Sequence, residues 1–308
     1  MMQLQNIVYE MGLDIRNKVI GMKRTLETNK EWGTVTKNLV KDAIDVHIGK
    51  LGRESKVDVF VLDMPYTAET GSGRGGGQNL ITKRRISSES HEEKIYCLID
   101  EIDGTWNASC GFPFSCSTMI AFTSITAVEP EDLTLSHFTS GFIIPYFGSG
   151  MYISEFHRRP PLIRLWDGET LELKMSPVIS PSQTRVIIDL FTEEKLKSLA
   201  LSIPVIGPII YDWCDFGRFY GAGVEISMLL GYKNIIPGFS AYVAASQKMD
   251  NIIPTYALIL GCGGVVTDWW GDSIFEKKLL DRVHVVMSAN QSLHDNLISH
   301  LSKRQHQE

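Results

Sequence analysis

The chain lacks most of the signatures that assign a function at sight. Its five cysteines (Cys97, Cys110, Cys116, Cys214, Cys262) are odd in number and form no C-x-x-C pair. That argues against a disulfide framework or a structural zinc site, and for reduced thiols in a core. The eight histidines show no metal-ligand spacing, and no Ser-His-Asp or Cys-His arrangement stands out. Basic residues number 30 against 36 acidic, a net charge of -6 with no basic stripe, which argues against nucleic acid as the main partner. No apolar run approaches the roughly 18 residues of a membrane span, and no basic stretch followed by an apolar one marks a secretory leader at the N-terminus. The expectation is a soluble, cytoplasmic protein with neither a membrane nor a nucleic-acid partner. Five glycines crowd residues 71–77, but Gln78 and Asn79 follow them instead of the Lys-Ser/Thr of a phosphate loop. This segment reads as a flexible surface loop.

What is present is a chain of 308 residues, long enough for a large buried core. Residues 2–28 place Leu4, Ile7, Val8, Met11, Ile15 and Val19 near helical spacing, and a second helix is expected near residues 38–51. Between them TNKEWGTVTKN reads as a polar break. VDVFVL (57–62) and LITKRRISSES (80–90) read as strands, and segments near 115–125, 138–145, 150–156 and 161–166 as an antiparallel meander. From about residue 184 strands and helices alternate, which suggests an α/β half. The expected division is 1–180, an N-terminal α+β half, and 181–308, a C-terminal α/β half.

The most informative stretch is CLIDEIDGTWNASCGFPF, residues 97–114. A short apolar strand leads into Asp100 and Asp103, which would face opposite sides of a regular strand. A turn between them would let both converge. Two hard carboxylates, the Ile102 carbonyl between them and the Thr105 hydroxyl would then suit Mg²⁺. Backbone N–H groups at Gly104 and Thr105 would suit a phosphate if they open a helix. Solvated turn acids are the plainer account of a bare D-x-x-D.

The longer string DEIDGTWN resembles the Asp-Pro-Ile-Asp-Gly-Thr-x-Asn signature of the inositol monophosphatase family. Gly33-Thr34-Val35-Thr36-Lys37 is similar to a mobile Gly-Thr-Pro-Thr-Lys loop of archaeal-type members, and equally reads as a plain helix–helix loop. The segment 221–228 (GAGVEISM) resembles another family stretch, which would make Glu225 a contact for a substrate hydroxyl; a glutamate opening a helix also simply suits its dipole.

The resemblance implies a layered αβαβα sandwich, an α/β (α+β) fold, often assembled as a homodimer. It implies a metal-dependent phosphomonoesterase acting on an inositol phosphate or sugar phosphate, with about two or three Mg²⁺ ions. Asp100, the Ile102 carbonyl and Asp103 would bind metal, Gly104 and Thr105 would cradle phosphate, and Thr105 would help orient the attacking water. The family's strand-end Glu, a metal ligand that helps activate that water, would be Glu89, displaced by one residue because Ser88 takes the gap-free position. The family's Trp-Asp likewise aligns to Asp250-Asn251, so Asp250 would have to shift by one to serve as a ligand. Asp250 also reads as a helix N-cap. Two displaced ligands leave open an inactive relative that binds metal or phosphate, or serves as an interaction protein.

Overall fold

A computed structural model describes residues 2–22, 29–64, 81–86, 93–104, 116–124, 126, 128–156, 160–175, 177, 184–189, 215–217, 222–235 and 237–302. Two helices that pack against each other open the chain, α1 (Met2–Met22) and α2 (Asn29–Ser55). On α1, Val8, Met11, Ile15 and Val19 are fully buried, a single stripe at three- and four-residue spacing. The stripe of α2 begins earlier than its apolar residues suggest: Trp32 and Thr36 are buried about two turns and one turn ahead of Val40, which Ile44 follows. Segment 33–37, expected as a loop in a polar break, is therefore helical, because a threonine and a tryptophan continue the buried face.

Eight strands form the first sheet, in the order β2-β1-β3-β4-β5-β6-β7-β8. They are β1 (Asp58–Asp63), β2 (Thr82–Arg85), β3 (Lys94–Asp103), β4 (Ser117–Thr123), β5 (Phe138–Pro145), β6 (Gly150–Glu155), β7 (Leu162–Leu165) and β8 (Thr170–Glu172). β1 and β3 run parallel, and every other neighbouring pair is antiparallel. A short ribbon pairs β9 (Lys174–Met175) with β12 (Leu230–Gly231). The second sheet has the order β11-β10-β13-β15-β14, from β10 (Arg185–Asp189), β11 (Asp215–Gly217), β13 (Ala241–Lys248), β14 (Val265–Asp268) and β15 (Arg282–Ser288). Among the described residues three further helices follow, α3 (Ala222–Ser227), α4 (Met249–Gly261) and α5 (Gln291–Ser302).

Three apolar clusters stack these elements into layers. Ile15 and Ile44 of the first two helices pack with Val59, Cys97 and Phe142 on one face of the first sheet. On its other face Leu98 and Ile143 pack with Ile226 of α3, Ile253 of α4, and Ile187 and Val285 of the second sheet. Val186, Val243 and Val286 then face Leu293 and Leu297 of α5. The result is helix, sheet, helix, sheet, helix, the expected αβαβα sandwich. α4 lies close on the first sheet because Gly141 of β5 has no side chain: a Cβ there would stand 2.5 Å from the Pro254 carbonyl oxygen. Any larger residue would push α4 away, and with it the acid in its first turn.

Candidate active site

The chemistry gathers at the C-terminal ends of β1 and β3, the end at which parallel strands commonly present ligand sites. A one-residue bulge makes the arrangement possible. Asp100 pairs with Met119 and Asp103 with Ser117, so three steps on β3 match two on β4. The extra residue restores parity, and side chains three apart share a face. Accordingly Cys97, Ile99 and Ile102 all join the core under α1 and α2, while Leu98 joins the opposite core beneath α3 and α4. Asp100 and Asp103 follow Leu98. The turn anticipated between the two acids is thus a bulge within a continuous strand.

Asp103 is buried and its carboxylate is already engaged. Oδ1 accepts the Ala222 N–H at 3.0 Å, and Oδ2 accepts the Gly223 N–H at 2.7 Å and the Ser117 hydroxyl at 3.2 Å. Gly223 permits this contact, since a Cβ would stand 2.7 Å from Ser117 Oγ. Burial raises the Asp103 carboxyl to about 6 in spite of these donors. Asp100 Oδ1 accepts the Ile102 N–H at 3.1 Å. Its carboxyl is pushed well above the usual range by burial and then by the charges of Asp250, Asp103 and Glu101.

The structure brings Asp250 to these acids. Asp250 lies in the first turn of α4, while Lys248 is the N-cap residue, so the expected capping role does not hold. The chain enters the helix two residues earlier than such a cap requires, and the Asp250 side chain is buried instead. Burial lifts its carboxyl to about 6, opposed by Lys248 and reinforced by Asp103 and Asp63. Its Oδ1 is buried without a hydrogen-bond partner among the described residues. Asn251 instead donates to Gln247 Oε1 at 3.4 Å. Lys248 reaches the Met64 carbonyl oxygen at 2.9 Å, at the exit of β1.

Sequence reading missed three further acids. Asp63 closes β1 on the side facing α2, where its carboxyl is raised by burial and by Glu101, to which its side chain hydrogen-bonds. Glu101 is buried and pairs with Lys37 at 3.4 Å and Lys41 at 3.5 Å. Asp189 closes β10, accepts the Tyr242 hydroxyl at 3.1 Å and a Gln247 N–H, and contributes to raising Asp103. The available signal was simple: Asp63 and Asp189 each directly follow an apolar strand. Gly104 follows β3, and Glu225 is buried in α3, whose first N–H groups Asp103 holds. Glu89 and Thr105 lie outside the described residues.

These acids, with Glu101, Asp103, Asp189 and Asp250 buried and Asp63 and Asp100 half-buried, bring negative charge and hard oxygen donors to the strand ends, the chemistry that a divalent cation prefers. The unpartnered Asp250 oxygen and the raised carboxyls of Asp63, Asp100, Asp103 and Asp250 are what such a donor set shows before charge is neutralised. Among the described residues no three His, Cys, Asp or Glu side chains are arranged to close on one ion. The residues fit a cation in kind, with Asp103 drawn toward α3. No helix among the described residues is long and apolar enough to cross a membrane.

No family model matches the sequence, and no curated protein matches it. Solved structures do match along the full chain. An inositol monophosphatase-II from Staphylococcus aureus is 14% identical, with 99% of this chain and 94% of that one covered at a TM-score of 0.64. The extragenic suppressor protein SuhB of Bartonella henselae is 13% identical, with 97% and 98% covered at 0.66. An inositol monophosphatase from Zymomonas mobilis is 13% identical, with 96% of each chain covered at 0.62. At such identities the likeness establishes a shared fold.

Proposed function

We propose that this chain is a divalent-cation-dependent phosphatase that hydrolyses a small phosphomonoester, an inositol phosphate or sugar phosphate. The observation that carries the reading is the unpartnered Asp250 oxygen, together with the influence that the charges of Asp63, Asp100, Asp103 and Asp250 exert on one another at the strand ends of this fold. Asp100, Asp250, Asp63 and the Ile102 carbonyl would hold Mg²⁺, with Asp103 as a further ligand. Bound there, the cation would polarise a phosphoryl oxygen and acidify a water.

The chain's own groups would supply the rest. Asp63, at the tip of β1, takes the part of strand-end acid that the sequence resemblance gave to Glu89: it accepts the proton of the attacking water. Its carboxyl, raised by burial and by Glu101, is a better proton acceptor than an ordinary aspartate. Gly104 and Thr105 N–H groups cradle the phosphate, and Thr105 orients the water. Glu225, buried in α3, accepts a hydroxyl of the polyol. Homodimer assembly and a cytoplasmic location belong to the same reading.

One observation favours a second reading, a binding protein without turnover: three donors already occupy the Asp103 carboxylate. A panel of sugar and inositol phosphates, assayed for phosphate release with Mg²⁺ or EDTA, separates the two. Release that requires Mg²⁺ and disappears in Asp100→Asn supports the enzyme. No release from any ester by the folded protein supports the binding protein.

A further inference from the structure

Glu101 stands at the proline position of the Asp-Pro-Ile-Asp-Gly-Thr string that this chain resembles. It is held at both ends. Its carbonyl oxygen accepts the Thr118 hydroxyl at 2.9 Å and the Tyr146 hydroxyl at 2.8 Å. Its carboxylate oxygens separately meet Lys37 Nζ at 3.4 Å and Lys41 Nζ at 3.5 Å. Lys37 and Lys41 are four residues apart on α2, so both ammonium groups leave one face of that helix. The Lys37 ammonium also lies in the field of Asp63 and Asp100, and both lysines act on Asp63.

The site is therefore unevenly neutralised. Toward α2, Asp63 and Glu101 face Lys37 and Lys41. Toward α4, the charges of Asp100 and Asp250 meet Lys248. We propose that Glu101 is a positioning residue that pairs with the Lys37 and Lys41 ammonium groups and so keeps them within the field of Asp63, where these amines and a divalent cation compete for the α2 side of the site. A doubly charged ion arriving at Asp63 meets like charge, and it binds more tightly once Lys37 withdraws or is removed. The clamp sets the cation affinity of the site from within the chain.

This inference rests on the cation reading above, and its test keeps the two apart. Mn²⁺ binding is measured by calorimetry on the full chain, for wild type, Lys37→Met, Lys37→Arg, Lys41→Met and Lys50→Met. Lys37→Met is expected to tighten Mn²⁺ about tenfold, and Lys41→Met by less. Lys37→Arg keeps the charge, and Lys50→Met removes one from the far end of α2, so both stay within about twofold of wild type. Equal or weaker binding by Lys37→Met, with binding by wild type, overturns the inference and leaves the cation reading standing. No Mn²⁺ bound by any folded variant overturns both. If Lys37→Met fails to fold by circular dichroism, Lys41→Met decides with the same signs.

Discussion

Asp103 accepts the Gly223 N–H at 2.7 Å, and through that bond strand β3 holds the first turn of α3. The same carboxylate takes the Ala222 N–H and the Ser117 hydroxyl, so a proposed cation ligand is also a structural joint. Asp103→Ala leaves two buried N–H groups without an acceptor and should cost about 3 kcal/mol. Asp103→Asn keeps one carbonyl acceptor and should cost about 1 kcal/mol. Urea unfolding of the two variants checks this, and equal losses would deny the joint.

Asp250 illustrates the opposite balance. Its folded carboxyl is raised to about 6 from 3.8, chiefly by burial, so its proton-linked stability is present below pH 3.8 and lost as pH rises through about 6. At neutral pH the charged group is a burden. Asp250→Asn should therefore raise the stability of the metal-free protein above pH 6 by about 1–3 kcal/mol, while abolishing the proposed turnover. Thermal unfolding at pH 5 and pH 8 tests it, and a variant no more stable than wild type at pH 8 would refute the buried-charge account.

The layers of the fold were legible because burial leaves a period. Val8, Met11, Ile15 and Val19 recur at helical spacing, and strands such as VDVFVL are β-branched and apolar. Segment 33–37 was misread because Thr36 is polar by type yet buried by position, and local composition does not reveal which face a helix turns to a sheet. Asp100 and Asp103 were found through a long signature. Their common face depends on a bulge in register with β4, which is a relation between strands and not a property of either one. Asp63 went unremarked for the same reason: its partner, Glu101, is distant in sequence and adjacent only because β1 lies parallel to β3.

A second titration belongs to the far layer. His294 is buried between the Ser288 hydroxyl at 2.9 Å and the Thr267 hydroxyl at 2.8 Å. Burial lowers its pKa to about 4 from 6.5. Its contribution is present above pH 6.5 and is lost as pH falls through about 4, because the unfolded chain takes up a proton that the folded one refuses. That slope opposes the one at Asp250, so the total curve conceals both. The difference between wild type and His294→Asn isolates it: wild type should lose stability relative to the variant between pH 6.5 and pH 4. A constant difference across this range would show that His294 does not titrate on unfolding.

Two acids are candidates for the strand-end role. Glu89 was the residue expected from the sequence to activate water, and Asp63 is the one the folded chain places beside Glu101 and within reach of the charge on Asp250. If Asp63 accepts that proton, Asp63→Asn should lower Mg²⁺-dependent phosphate release by about 10²–10⁴-fold. Its stability should hold or improve, since the lost charge is one that burial disfavours. Glu89→Gln should then leave the rate within about threefold of wild type, far below the loss expected of a general base. Saturating Mg²⁺ in both assays keeps a change in cation affinity from passing as a change in chemistry. The reverse pattern, a silent Asp63→Asn and a crippled Glu89→Gln, would return the role to Glu89 and leave Asp63 a partner of Glu101.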